Sequence, residues 1–226
     1  MKALVYGKTV ELDHGFDDYL DPARTAIISI DMHRGHLEDN ADCPCPAPRG
    51  REIIAPIDEF HARARHLGVR IIHVKSVLRP GGADDINGIP SAWRRTFPLH
   101  VGPIPNADAH AIEGSRWTEW VTQVEPTDMR VENKRRLSAF YPTDMDFLLR
   151  NQRIETVVFD GIMADCCVLN AAFDACNRNY KVIVAGDLVR GTDENLEAAS
   201  LAMVSLHIGL VTESRELLGA WAAAKG

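Results

Sequence analysis

Apolar residues fall into short dense runs separated by stretches where they recur every three or four positions. The dense runs lie at 25–31, 69–74, 129–133, 156–162, 181–185 and 209–212. Runs this short and this continuously apolar read as strands buried on both faces. Between the first two, Ile53, Ile54, Ile57, Phe60, Ala64 and Leu67 keep helical spacing, and Gly68 stops the helix. Further helices are predicted at 143–151, 166–178, 193–207 and 214–224. Strands alternating with helices specify a largely parallel sheet covered on both faces. The expected fold class is therefore α/β, a three-layer α/β/α sandwich with a six-stranded, Rossmann-like sheet. Counting the predicted strands in chain order, the doubly wound arrangement is 3-2-1-4-5-6.

Two regions lack periodicity. One is the proline-rich loop Cys43-Pro44-Cys45-Pro46-Ala47-Pro48. The other, 79–127, is rich in Pro, Gly and Trp, and a stretch that long reads as a functional lid or insertion. No repeat, low-complexity tract or linker interrupts the chain, so residues 1–226 are expected to form a single domain.

Composition narrows the class. The chain is 46% hydrophobic and 25% charged, as a soluble globular protein is. No apolar run approaches the roughly 20 residues that span a bilayer, and the first residues lack the apolar core of a signal peptide. The expectation is a cytoplasmic protein with no membrane partner. A formal charge of −7 argues against nucleic acid as a partner but leaves room for a local basic pocket. Five cysteines, two of them adjacent, make a poor disulfide framework and are expected as thiols.

In a parallel α/β sheet, ligands bind beyond the carboxyl ends of the strands. Asp31, Lys134 and the pair Cys166/Cys167 all fall there. A thiol in the first turn of a helix meets the positive end of the dipole, which favours thiolate. The unpaired N–H groups of that turn can hold an oxyanion. Asp31 is a general base if a thiol lies within reach, or else a turn-capping carboxylate. Lys134 beside both would hold two anions, although Lys134-Arg135-Arg136 taken alone reads as solvated surface. Adjacent helical residues do not share a face, so one cysteine enters the site and spacing leaves open which. Asp165 is a candidate N-cap that would occupy one of the N–H groups.

These residues carry a resemblance. Ala26-Ile27-Ile28-Ser29-Ile30-Asp31-Met32, then Lys134 with Ser138-Ala139-Phe140, then Gly161-Ile162-Met163-Ala164-Asp165-Cys166-Cys167-Val168 run in the order of the isochorismatase-like cysteine hydrolases. The match is similar to the amide and ureide branch, which includes biuret and triuret hydrolases and ureidoacrylate amidohydrolase. The resemblance implies an Asp31–Lys134–Cys167 triad, with Cys167 as nucleophile because the family places Val directly after it. It also implies a cis Ile162–Met163 peptide and an oxyanion hole of the Met163 and Cys167 backbone N–H groups. Asp31 would take the thiol proton, Lys134 support both charges, and a thioester form and be hydrolysed. A homo-oligomer, dimer or tetramer, is implied as well.

The chain departs from the family at several positions. His33 and His36 stand where Gln and Phe are common, and Ala164 replaces a common Thr. The Asp-x-His metal motif of nicotinamidases is missing from Ser76-Val77-Leu78-Arg79-Pro80-Gly81-Gly82, so no metal and no cofactor is expected. A competing metal set would use His33, His36, Cys43 and Cys45, loosely spaced for zinc.

Candidate substrate contacts are Arg79, for a carbonyl or carboxylate, Trp117 (with Trp120) as a pocket wall, and His207, which can both donate and accept. The expected reaction is hydrolysis of a C–N bond in a small linear amide or ureide: biuret, triuret, ureidoacrylate or an N-carbamoyl compound. The alternatives are vinyl-ether hydrolysis of the isochorismatase type, a non-catalytic ligand-binding member, and a redox protein using Cys166 and Cys167. The last ranks lowest, since adjacent cysteines close a strained ring and no Cys-x-x-Cys occurs.

Overall fold

The computed structural model describes residues 1–225. Its strands are β1 (Lys2–Val5), β2 (Lys8–Glu11), β3 (Thr25–Ile30), β4 (Arg70–Ser76), β5 (Met129–Lys134), β6 (Thr156–Ile162), β7 (Lys181–Arg190) and β8 (Leu210–Thr212). Its helices are α1 (Arg34–Leu37), α2 (Ile54–His66), α3 (Ala92–Val101), α4 (Met145–Asn151), α5 (Leu169–Asn177), α6 (Glu194–His207) and α7 (Ser214–Lys225). Strands β3 to β8 form an all-parallel sheet in the order β5-β4-β3-β6-β7-β8, the arrangement the hydrophobic pattern predicts. Among the described residues no helix is long and apolar enough to cross a membrane.

The period-two alternation of a strand sends successive residues to opposite faces, and each face has its own apolar layer. Ile28, Ile30, Val74, Val157, Phe159 and Val182 pack with Met145 and Leu149 of α4 and Ala171, Ala172 and Ala175 of α5. Ile27, Ile71, Val158 and Ile183 pack on the other side with Ile57, Phe60 and Ala64 of α2 and Leu217 and Trp221 of α7. The alanines of α5 let that helix lie close to the sheet. This fixes the distance from the end of β6 to the residues that follow it.

Three features exceed the sequence pattern. Strands β1 and β2 form an antiparallel hairpin whose turn residues Tyr6 and Gly7 both have positive φ, the two-residue turn that suits hairpin twist. Strand β7 continues past the predicted 185 to Arg190, through a register shift against β6. Helix α3 rises within the aperiodic 79–127 segment. None of its residues is buried in a core, which is why no apolar period marks it.

One rung of the sheet is polar. Ser29 pairs in register with both His73 and Asp160, and all three are buried under α2. His61 of α2 meets Asp160 at 2.7 Å (Nε2–Oδ2), and His73 Nε2 lies 3.0 Å from Asp128 Oδ2. Arg65 forks onto the same Asp128 carboxylate at 2.9 and 2.6 Å. Burial opposes ionisation of Asp128, but bonds from His73, Arg65 and the Glu125 N–H outweigh it and hold its carboxyl well below the usual range. Burial pushes the His73 imidazole down, against the pull of Asp128.

Both shifts act in one direction. The unfolded chain protonates His73 near 6.5 and Asp128 near 3.8, while the folded chain resists both. Their stabilisation is complete above 6.5 and above 3.8 respectively, and is lost as pH falls through each range. Replacing Asp128 with Asn should cost about 2–3 kcal/mol at neutral pH, and should flatten the fall in stability below 3.8. Urea denaturation across the acid range measures both, and an unchanged acid slope would contradict this account.

Candidate active site

The sheet ends at a cluster of four polar side chains from adjacent strands. Asp31 follows β3 in the left-handed region, φ 56°, with its N–H bonded to the Val74 carbonyl at 2.8 Å. Aspartate tolerates that conformation better than most residues, and it turns the carboxylate back over the strand ends. There Asp31 Oδ1 accepts from the Ser76 N–H at 2.7 Å and the Ser76 hydroxyl at 3.1 Å. Lys134, the last residue of β5, reaches across β4. Its Nζ donates to Asp31 Oδ2 at 2.7 Å, to Ser76 Oγ at 2.8 Å and to Cys167 Sγ at 3.2 Å. An ammonium has three N–H donors, and all three are used.

Asp31 and Lys134 are each about 1% exposed. Burial opposes charge on both. The Asp31 carboxylate nevertheless outweighs it and raises Lys134 above its ordinary value, while Lys134 holds Asp31 well below the carboxylate range. The two remain a charged pair.

Cys167 is brought there by the turn after β6. Gly161 takes φ 100°, and a Cβ on it would stand 2.2 Å from the Ile30 carbonyl oxygen, so only glycine lets β6 close onto β3 here. The Ile162–Met163 peptide is cis. Residues Ala164–Val168 form a wide turn that leads into α5. The Met163 carbonyl accepts the N–H groups of Cys166 and Val168, at 3.0 and 3.1 Å, and skips that of Cys167. Asp165 is not the helix cap considered from the sequence. Its carboxylate takes the Thr192 N–H and hydroxyl, each at 2.8 Å, and ties the turn to the end of β7.

The thiolate expectation needs correction. The neighbouring Cys166 thiol, and then burial, hold the Cys167 thiol well above its ordinary value against the pull of Lys134. Cys167 in turn lowers Cys166. The charge of Lys134 is already matched by Asp31, so in the resting site Cys167 keeps its proton.

A cavity of about 380 Å³ opens above these groups. Its floor is Asp31, Ser76, Lys134, Met163 and Cys167, and one wall carries His36, Cys45 and His110. Ile86, Trp93 and Phe97 cover it from the 79–127 segment, which thus lines the pocket as its aperiodicity suggested. Arg136 stands at the side. Its guanidinium donates to the main-chain carbonyls of Arg135 and Asp84, and among the described residues it has no carboxylate partner.

None of the candidate substrate contacts lies in this cavity. Arg79 is bound to Asp84 through both its side chain, at 2.7 Å, and its N–H, and lines a neighbouring depression. Trp117 is buried beside α1, where its carbonyl pairs with His33 Nδ1, and Trp93 lines the pocket instead. His207 is exposed at the far end of α6. The start of that helix adjoins Thr192 and Asp165, and fourteen helical residues place His207 about 20 Å further on. The competing metal set stays only partly together. The His33 ring remains 4.7 Å from that of His36, but its Nδ1 pairs with the Trp117 carbonyl at 2.8 Å, and the Cys43 thiol turns to the Gly35 carbonyl at 3.4 Å, leaving His36 and Cys45 on the cavity wall. Ser76 was legible as a polar residue at a strand end, whereas nothing in the aperiodic segment marked His110.

An α/β sandwich with a thiol, a lysine and an aspartate joined at its strand ends is the architecture of a cysteine hydrolase. Residues 25–216 match the isochorismatase domain, and the chain belongs to that family of hydrolases. It is 28% identical to a ureidoacrylate amidohydrolase RutB of Methylobacterium radiotolerans over 206 residues, covering 86% of this chain and 78% of the relative. It is 28% identical to the N-carbamoylsarcosine amidase of an Arthrobacter species, covering 74% of this chain and 61% of the relative. The fold is shared with a cysteine hydrolase from Pseudomonas syringae pv. phaseolicola, at TM-score 0.79 and 23% identity over 91% of this chain and 96% of that one.

The buried pair gives a direct test of stability. Asp31→Asn leaves an uncompensated ammonium and Lys134→Met an uncompensated carboxylate, and each should destabilise by about 3–5 kcal/mol. The double variant, with no buried charge left, should lose clearly less than the sum. Additive losses in a denaturant-unfolding cycle would show that the two charges are not coupled.

Proposed function

We propose that the protein is a cysteine-dependent amidohydrolase that cleaves a C–N bond of a small linear amide or ureide and releases ammonia. The observation that carries this reading is the Lys134 ammonium, bonded at once to Asp31 at 2.7 Å and to Cys167 at 3.2 Å. Relatives named for the hydrolysis of ureidoacrylate and N-carbamoylsarcosine support the same bond type.

The chemistry follows from the charges. Asp31 accepts the proton of the Cys167 thiol, and Lys134 stabilises the thiolate as it forms. The sulfur attacks the substrate carbonyl carbon. Its oxygen becomes an oxyanion, held by the Met163 and Cys167 N–H groups. When the C–N bond breaks, the proton on Asp31 passes to the departing nitrogen, which leaves as ammonia. The thioester remains. Water then gives a proton to Asp31 and attacks the acyl carbon, and the thiolate leaves and regains the proton.

Arg136 refines the substrate class. A guanidinium at the pocket side with only main-chain acceptors suits a substrate carboxylate. This favours ureidoacrylate and N-carbamoyl amino acids over uncharged biuret and triuret.

A panel of ureides assayed for ammonia tests the proposal. Carboxylated members should be preferred. Arg136→Ala should raise their KM by about 10–100-fold, the loss of a charge-assisted hydrogen bond, and leave that of biuret near its wild-type value. Cys167→Ser should lower kcat by a factor on the order of 10⁴ or more, and Cys166→Ser should not. Product from isochorismate with no ammonia from any ureide would move the assignment to vinyl-ether hydrolysis.

A further inference from the structure

One wall of the cavity holds a second chemical group. His36, Cys45 and His110 each present a ligand-type atom, and these atoms lie within 4.8 Å of one another. All three residues are buried, at 7%, 7% and 6% exposure, and all three line the cavity that contains Cys167. They come from α1, from the proline-rich loop and from the 79–127 segment. The Cys45 N–H bonds to the Gly35 carbonyl at 3.2 Å and sets Cys45 beside His36, whereas His110 reaches them from a segment distant in the chain.

We propose that His36, Cys45 and His110 bind a divalent transition-metal ion of the zinc type, with an open coordination position facing the cavity.

The two imidazoles are arranged as ligands rather than as packing. His36 Nδ1 is 2.9 Å from the Cys45 carbonyl. Nδ1 therefore carries the hydrogen and Nε2 carries the lone pair, the arrangement that outer-shell carbonyls impose on metal-bound histidines. His110 Nδ1 is buried with no hydrogen-bond partner among the described residues. Its ring is held by His36, centroids 4.6 Å apart, and edge-on by Trp93 at 5.2 Å. A buried ring nitrogen without a partner is costly, and an ion between the rings removes that cost.

The donor set selects the ion. Two imidazoles and one thiolate suit zinc or cobalt and disfavour magnesium and calcium, which take oxygen ligands. Tetrahedral zinc places such donors roughly 3.3–3.7 Å apart, so donors within 4.8 Å need shift by no more than about 1 Å to close on an ion. Three protein ligands leave one position free, as in zinc sites that bind a small molecule. None of the three comes from residues 76–82, where the sequence lacks Asp-x-His, so the absence of that motif does not bear on this site.

Metal-stripped protein reconstituted with cobalt(II) and desalted is the test, read by elemental analysis and visible absorption. About one equivalent per chain should remain, with d–d bands and a thiolate-to-cobalt charge-transfer band. His36→Gln and His110→Gln should each weaken cobalt affinity by more than the roughly 10–100-fold that losing an outer-shell partner costs. Cys45→Ser should remove the charge-transfer band, and Cys167→Ala should keep it. The proposal is overturned if cobalt is not retained. It is equally overturned if both glutamine variants, shown folded by circular dichroism, retain it unchanged, or if the charge-transfer band follows Cys167 instead of Cys45. None of these readouts depends on turnover, so an inactive protein that binds cobalt through these residues upholds the metal site and rejects only the amidase reading.

Discussion

The ion pair between Lys134 and Asp31 is the constraint on which the rest of the site depends. Two charges about 1% exposed are tolerable only if each meets the other and every remaining donor and acceptor is used. The structure meets that condition through Ser76, which donates to Asp31 and accepts from Lys134. Three parallel strands must therefore end at matching heights. The register of β4 with β5 sets Ser76 opposite Lys134, and that of β3 with β4 sets Ile30 opposite Val74, whose carbonyl fixes Asp31. A one-residue slip in either ladder would turn these side chains to the other face and leave a charge buried alone.

The sheet order explains why a thiol can join this pair. The chain winds outward from β3 through β4 to β5, returns to the other side of β3 as β6, and winds outward again to β8. The reversal lies between β3 and β6, and crevices form at such switch points. Asp31 leaves one strand of that central pair and the turn bearing Cys167 leaves the other. Lys134 comes from two strands away, and a long unbranched side chain is what crosses β4 to reach them. Gly161 permits the close approach of β6 to Ile30 that the crevice needs.

How far this was legible depends on whether a residue's position follows from the strand pattern or from packing at a distance. Dense apolar runs with a polar residue at the end mark strand termini, so Asp31, Lys134 and the Cys166/Cys167 segment could be read, and with them the sheet order. The hairpin β1–β2 is mostly exposed and carries no strong apolar signal. Helix α3 has no core to face, so it has no period. Arg79 and Trp117 lie in the insertion and His207 at the end of a helix, so their final positions depend on packing that the strand pattern does not fix. Asp84 captures Arg79, α1 covers Trp117, and fourteen residues of α6 carry His207 away from the site. Ser76 could have been found by the rule that found Asp31. His110 could not, because its neighbours in space come from the far side of two loops.

The protonation of Cys167 is the point where electrostatics rather than position decides the chemistry. A preformed thiolate would put two anions against one buried ammonium, and the surplus charge has no partner among the described residues on the cavity floor. The resting arrangement of thiol, carboxylate and ammonium is neutral overall. Moving the thiol proton to Asp31 gives a carboxylic acid, a thiolate and the same ammonium, which is also neutral. The proton shift therefore separates no new charge from solvent. Its cost reduces to the difference in proton affinity between sulfur and carboxylate inside the site, and Lys134 adjusts that difference by bonding to whichever of the two is the anion. In the proposed mechanism, the same buried pair at the strand ends is what would let a protonated thiol act as the nucleophile.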